Sequence, residues 1–202
     1  LARCNKMLAI LEPWMQNFVL GNYRKVASPS FSTESLSPVG ATGSPGSEAS
    51  ILLSTDSKDL ETAQILGCMF SLTQSLGVEH SQGIQIMWRS IVTNRAHNTV
   101  PVLAFCIDKV VDTYENDPEA LFVLVAQQIT LYMARCHTDL TVRTLMDQVS
   151  MLPETPSSRV SRSNVATILL IEIIHESSAE YLSDHTPLLL HIAIVGMDHD
   201  DA

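Results

Sequence analysis

Between Lys58 and Val149 an amphipathic segment opens about every twenty residues, near Lys58, His80, Asn98, Asp117 and Asp139, so helix pairs recur at roughly forty residues. Each pair in such a pattern hides its apolar faces by stacking on its neighbours, and the result is a long surface with no built-in active site. The usual work of that surface is to hold other proteins. The rhythm therefore points to a scaffold before it points to an enzyme.

Apolar residues make up 46% of the 202, which is ample for a packed interior, while aromatics supply only 5%. The apolar content comes mainly from Leu, Ile, Val, Ala and Met, which suits helix against helix better than a β-sandwich. The expected fold class is all-α, a HEAT/armadillo-like α-solenoid segment carrying one disordered insertion rich in Ser, Pro and Gly. The net charge of -10 repels a phosphate backbone and an anionic leaflet. The densest basic stretch, Arg159-Val160-Ser161-Arg162, is too short to offset it, so nucleic acid is not an expected partner.

The segments divide at shifts of composition. Residues 1–27 read as a helical element, with Met7, Leu8, Leu11, Trp14, Met15 and Phe18 at helical spacing and Pro13 set to kink or restart the helix. Residues 28–57 contain no Lys or Arg and no sustained apolar period, and read as a flexible insertion rich in Ser, Gly and Pro. Residues 58–151 hold the repeats. Asp56 or Ser57 is expected to cap the first of these helices, whose stripe Ile65, Met69, Leu72 and Leu76 stops at Gly77. Ile84, Met87, Trp88 and Ile91 mark the second, and Leu103, Cys106, Ile107, Val110 and Tyr114 the third, with Pro101 in its first turn. Asp117-Pro118-Glu119 combines a capping carboxylate, a first-turn proline and an acid at the positive helix end, and starts a helix apolar nearly all round from Ala120 to Met133. Val142, Leu145, Met146 and Val149 continue the array. Residues 152–163 read as a loop and residues 164–199 as a further helical pair, helix being preferred to strand for Ile168–Ile174.

Candidate chemistry is thin. Cys4, Cys68, Cys106 and Cys136 stand singly, and the last three fall in apolar stretches, as buried free thiols of a reducing compartment do. The seven histidines form no HExxH pair, His175-Glu176 has no nucleophile beside it, and Asp198-His199-Asp200-Asp201 reads as a solvated tail. No phosphate loop, dinucleotide turn or nucleophile elbow occurs, so no catalytic residue, cofactor, metal or small-molecule substrate is expected. The apolar runs Val165–Ile174 and Pro187–Met197 are interrupted by Glu172 and His191 and fall short of the ~20 residues that span a bilayer. A cytoplasmic location is expected. Both ends read as cut, since the chain opens without Met and stops just past Gly196-Met197, and cut ends of an array expose apolar faces prone to association.

Regulatory content lies in the insertion. Ser28-Pro29, Ser37-Pro38 and Ser44-Pro45 are candidate sites for proline-directed kinases, and each phosphate adds roughly -1.5 to -2 charges to a segment without cations. Trp14 and Trp88 lie in apolar stripes and are expected in the core rather than as exposed partner anchors.

Leu11-Glu12-Pro13-Trp14-Met15-Gln16-Asn17 resembles the PW-then-Asn helix of the Furry family of giant cell-morphogenesis proteins, which includes the fungal Mor2 and Tao3 proteins. The likeness continues through Leu66 to Trp88 with Gly77-Val78-Glu79-His80, through Asp117-Pro118-Glu119 and Tyr132-Met133-Ala134-Arg135, and into His185-Thr186-Pro187-Leu188-Leu189-Leu190-His191. The resemblance implies a long scaffold that supports an NDR-type kinase and its MOB coactivator in polarised growth, at sites of growth or the cell cortex. The insertion suggests a fungal member. The alternative is a helical-repeat transport adaptor of the karyopherin type, which needs recurrent Trp/Asn pairs that this sequence does not display.

Overall fold

The computed structural model describes residues 2–21, 23, 48–116, 122–150, 162–176, 182–187 and 189–190. Among them are seven α-helices and no strand: α1 (Ala2–Gln16), α2 (Glu48–Leu76), α3 (Ser81–Thr93), α4 (Thr99–Asn116), α5 (Phe122–Cys136), α6 (Thr138–Ser150) and α7 (Arg162–Glu176). Short 3₁₀ turns lie at Ala96–Asn98, just before α4, and at Ser183–His185. The all-α expectation holds, and Ile168–Ile174 is helical as read.

The helices sort into two sets by what they touch. α1 packs on α3, α3 on α5 and α5 on α7, while α2 packs on α4 and α4 on α6. The sets meet through α2 with α3, α4 with α5, α5 with α6 and α6 with α7, and also through α2 with α5 and α4 with α7. α5 is the hub, in contact with α2, α3, α4, α6 and α7, which is the environment its nearly all-round apolar sequence demands.

The stripes read on α3, α4 and α6 are buried, whereas on α2 the expected line Ile65, Met69, Leu72 and Leu76 is displaced, with Leu72 exposed and Leu66, Met69 and Phe70 in the core. Ile84, Met87, Trp88 and Ile91 of α3, Leu103, Cys106, Ile107 and Val110 of α4, and Val142, Leu145 and Met146 of α6 all face the core. Each such side chain contributes roughly 1.5–3 kcal/mol by leaving water. An aromatic run crosses the layers: Tyr23 meets Phe105 edge-on at 5.4 Å, Phe105 meets Phe70 at 6.0 Å, and Phe70 stacks on Phe122 at 5.6 Å.

Boundaries differ from the sequence reading in three places. α2 begins at Glu48 rather than near Lys58, so Asp56 and Ser57 lie within it and do not cap it. Pro45 and Gly46 are the last helix breakers before Gly67, and nothing in the ten residues from Glu48 to Ser57 interrupts a helix. α1 is one helix through Pro13, because the proline falls in its last turn and costs a single amide near an end that is about to stop. α7 starts at Arg162, two residues before the expected edge of the loop. The Asp117-Pro118-Glu119 signal and most of Pro187–Met197 lie outside the described residues.

One polar side chain ties the connection after α1 to the helices. Asn98 is fully buried; its Nδ2 donates to the carbonyls of Phe18 (2.9 Å) and Ile91 (2.7 Å), and its Oδ1 accepts from the Leu20 amide (3.2 Å). One residue further on, the Gly21 amide donates to Thr62 Oγ1 at 2.8 Å. A Cβ on Gly21 would come 2.8 Å from Asp59 Oδ1, so glycine is what lets the chain lie so close to α2. Asn98→Ala orphans three buried backbone groups and is expected to cost about 3 kcal/mol in a urea unfolding titration. Gly67→Ala is expected to do the opposite: a Cβ at this mid-helix position meets nothing within 4 Å, and the change adds about 0.5–1 kcal/mol. An Asn98→Ala midpoint equal to that of the parent would refute the clamp.

Candidate interaction surface

The ends and faces of the helices decide which side chains remain available. α3 packs on α1 and α5, and also touches α2 and the Ala96–Asn98 turn, with Ile84, Met87, Trp88, Ser90, Ile91 and Val92 buried. What remains open is a line of Gln82, Ile86, Arg89 and Thr93, all exposed and at helical spacing. Leu124 and Arg135 are exposed on the corresponding side of α5, with Leu131 half-buried between them. α7 presents Ile171 and His175, and α1 presents Lys6 and Ile10.

Between α1 and α3 the surface sinks into an open groove of about 280 Å³ lined by Glu12, Gln16, Ile86, Arg89, Ser90 and Thr93. Ser90 Oγ donates to the Ile86 carbonyl and Thr93 Oγ1 to the Arg89 carbonyl, both at 2.7 Å. Their protons are thus committed to their own helix, and their lone pairs face outward as acceptors. An open groove with five polar or charged residues around the single apolar side chain of Ile86 suits a side chain of a docked protein better than an enclosed metabolite.

The sequence candidates fall apart under this geometry. Trp88 is fully buried, and its Nε1 donates to Thr73 Oγ1 at 2.7 Å, which in turn donates to the Met69 carbonyl at 2.9 Å. Trp14 is not a core residue: it is 53% exposed and leans on Phe18 with ring centroids 5.0 Å apart. His175 and Glu176 are both exposed at the end of α7. His137 Nε2 donates to the Val92 carbonyl at 2.9 Å and thereby satisfies the C-terminus of α3. His185 is buried with Nε2 3.4 Å from Asp139 Oδ1. Among the described residues no group of three His, Cys, Asp or Glu is placed to hold a metal ion, and no helix is long and apolar enough to cross a membrane. Ser28, Ser37 and Ser44 lie outside the described residues.

Sequence reading missed two polar assemblies. Asn98 was read only as a helix opening, although its side chain clamps the chain at Phe18 and Leu20. Asp108, buried on α4, pairs with Arg162 at the start of α7, and Arg162 also donates to Gln148 Oε1 of α6 at 3.1 and 3.3 Å. The only sequence signal for the second is an acid at the fourth place of an otherwise apolar stretch, Phe105-Cys106-Ile107-Asp108. Both assemblies join segments far apart in the chain, and neither lies on the open face.

The thiols separate in the same way. Cys68 is exposed on α2, against the expectation of burial, because the stripe of α2 that faces the core runs through Leu66, Met69 and Phe70 instead. Cys106 is fully buried, and burial pushes its thiol pKa well above the ordinary value near 9. Iodoacetamide is therefore expected to label Cys68 in the native protein and spare Cys106. With the folded pKa raised, the thiol contribution to stability is intact below pH 9 and falls as pH climbs beyond it, since the unfolded thiol ionises there and the folded one does not. Cys106→Ala is expected to flatten that alkaline slope in unfolding titrations at successive pH values, and an unchanged slope would contradict the assignment.

A family model described as the cell morphogenesis central region matches residues 54–159 and 152–202, together about three-quarters of the chain. The matched stretches contain Leu66–Trp88, Asp117-Pro118-Glu119, Tyr132–Arg135 and His185–His191, and leave out the Leu11–Asn17 helix. Neither the comparison with curated proteins nor that with solved structures gave a match. The chain belongs to the cell morphogenesis central-region family.

Proposed function

We propose, from that membership, that the chain is a non-catalytic scaffold segment built as a HEAT/armadillo-like α-solenoid. The observation that carries the reading is the alternation of packing partners, with α1, α3, α5 and α7 in one succession and α2, α4 and α6 in the other. That is how stacked helix pairs bury their apolar faces while leaving an extended surface open. The mechanism of such a segment is geometric: two proteins held on one support meet at a raised effective concentration.

The partners proposed are an NDR-type kinase and its MOB coactivator, in polarised growth of a fungal cell, with the chain in the cytoplasm or at the cortex. Phosphorylation at Ser28, Ser37 or Ser44 would add charge to a segment without cations and so regulate docking. The transport-adaptor reading is weaker, because a groove for extended cargo needs free asparagine amides. Asn98 spends its amide on Phe18, Leu20 and Ile91 of its own chain.

The tagged chain, expressed in a fungal cell and recovered with its bound proteins, is expected to bring down an NDR-type kinase or a MOB protein and to carry phosphate on at least one of the three serines. Recovery of nuclear-transport factors in place of both proteins would overturn the scaffold assignment in favour of the adaptor.

A further inference from the structure

The helices do not share the charge of the chain evenly. α1, α3, α5 and α7 together carry five Lys and Arg against three Asp and Glu, whereas α2, α4 and α6 carry three against nine. In a chain of net charge -10 the first succession is thus a basic exception. α3 and α5, at its middle, contain no acid at all. Of the three acids in the set, Glu172 is half-buried 3.2 Å from Gln127 Nε2, Glu12 is half-buried 3.5 Å from Gln16 Nε2 and lines the groove that Arg89 also lines, and Glu176 is the exposed last residue of α7.

α3 packs on α1 and α5, and α5 on α3 and α7, so α3 and α5 are neighbours at the middle of the set. These two helices carry the exposed apolar side chains Ile86 and Leu124 and the exposed cations Arg89 and Arg135, and the flanking helices add Ile171 of α7 and Lys6 of α1. Exposed apolar residues arranged with one sign of charge mark a protein-docking surface rather than a solvated one.

We propose that this face docks an acidic amphipathic segment of a protein partner, whose aliphatic side chains cover Ile86, Leu124 and Ile171 and whose carboxylates meet Lys6, Arg89 and Arg135. The inference rests on the scaffold reading and names the face and the chemistry of its partner. A nucleic acid or an anionic membrane fits less well, since the whole chain repels both at long range and the face offers few cations for its apolar area. An acidic peptide meets the local cations at short range and satisfies the apolar side chains in the same contact.

The test uses a display library of helical segments about 16 residues long, with Leu or Ile at i, i+3, i+4 and i+7 and the remaining positions randomised. It is selected on the full chain and on the Arg89→Glu/Arg135→Glu double variant, with Arg89→Gln/Arg135→Gln as the milder control and thermal melts to show that each is folded. The parent is expected to select segments rich in Asp and Glu, and the charge-reversed variant to bind them at least about tenfold more weakly, with the difference shrinking as salt is raised. The proposal is overturned if no segment is selected, if the selected segments are not acidic, if the double variant binds them equally, or if vesicles containing phosphatidylserine bind the parent in their place. Repeating the pull-down with the double variant separates the two readings. Kinase or MOB recovered equally by parent and variant removes this face and leaves the scaffold; recovery of neither by the parent removes the scaffold whatever the library gives.

Discussion

Everything in this molecule is arranged around the need to bury α5. A 15-residue helix that reads Phe-Val-Leu-Val-Ala-Gln-Gln-Ile-Thr-Leu-Tyr-Met-Ala-Arg-Cys has no polar face wide enough to meet water on one side, and only packing from several directions removes its apolar surface. Five other helices supply that packing. Once α5 is enclosed, α3 and α7 must lie to either side and α4 and α6 beneath, and the alternation of the two sets follows. The remaining outward strip of α5 is narrow, from Leu124 to Arg135, and it is therefore the same strip on which any partner of this helix must act.

Apolar packing of this kind is directionally weak, because helices carrying Leu and Ile stripes slide and rotate at small cost. The polar contacts supply the register. Trp88 reaches Thr73 and fixes α3 against the C-terminal half of α2; His137 reaches Val92 and fixes the end of α5 against the end of α3; Arg162 reaches Asp108 and Gln148 and fixes α7 against α4 and α6. Asn98 does the same for the connection that leaves α1. Each contact joins helices of different sequence distance, and each buries a group that would be costly to leave unpaired. They specify one stacking among several of similar apolar area.

Periodicity made the helices legible, and it did so because the buried stripes are long and regular: Ile84-Met87-Trp88-Ile91 and Leu103-Cys106-Ile107-Val110 could be placed on core faces without knowing what covers them. The family was legible as well, since Gly77–His80 and Tyr132–Arg135, which carry the resemblance, fall within the residues that the family model matches. The start of α2 was not, because Ser50, Ser54, Thr55 and Ser57 look like a linker by composition while lacking any residue that forbids a helix. Trp14 was misread for a related reason. A stripe shows that a residue is on the apolar side of its helix, but exposure depends on whether a neighbour lies against that side. Asn98 and Asp108 were illegible in principle, since their partners are 80 and 54 residues away.

The charge division between the two helix sets was hidden for the same reason. Read along the chain, bases and acids alternate and sum to a uniformly acidic protein; only when the odd helices are placed side by side do Lys6, Arg89 and Arg135 become neighbours in kind. The division also has a physical use within the stack. Like charges on one face of a rigid array are held apart by the spacing of the helices, about 8–10 Å between axes, so they repel each other little at physiological salt. They attract an acidic segment that crosses several helices in sequence. A flexible basic tail would lose conformational entropy on each contact, whereas side chains mounted on packed helices have already been ordered by folding. Packed helices therefore hold such side chains at lower entropic cost than a disordered linker of the same composition, and exposed positions of α3 and α5 can change without disturbing the core behind them.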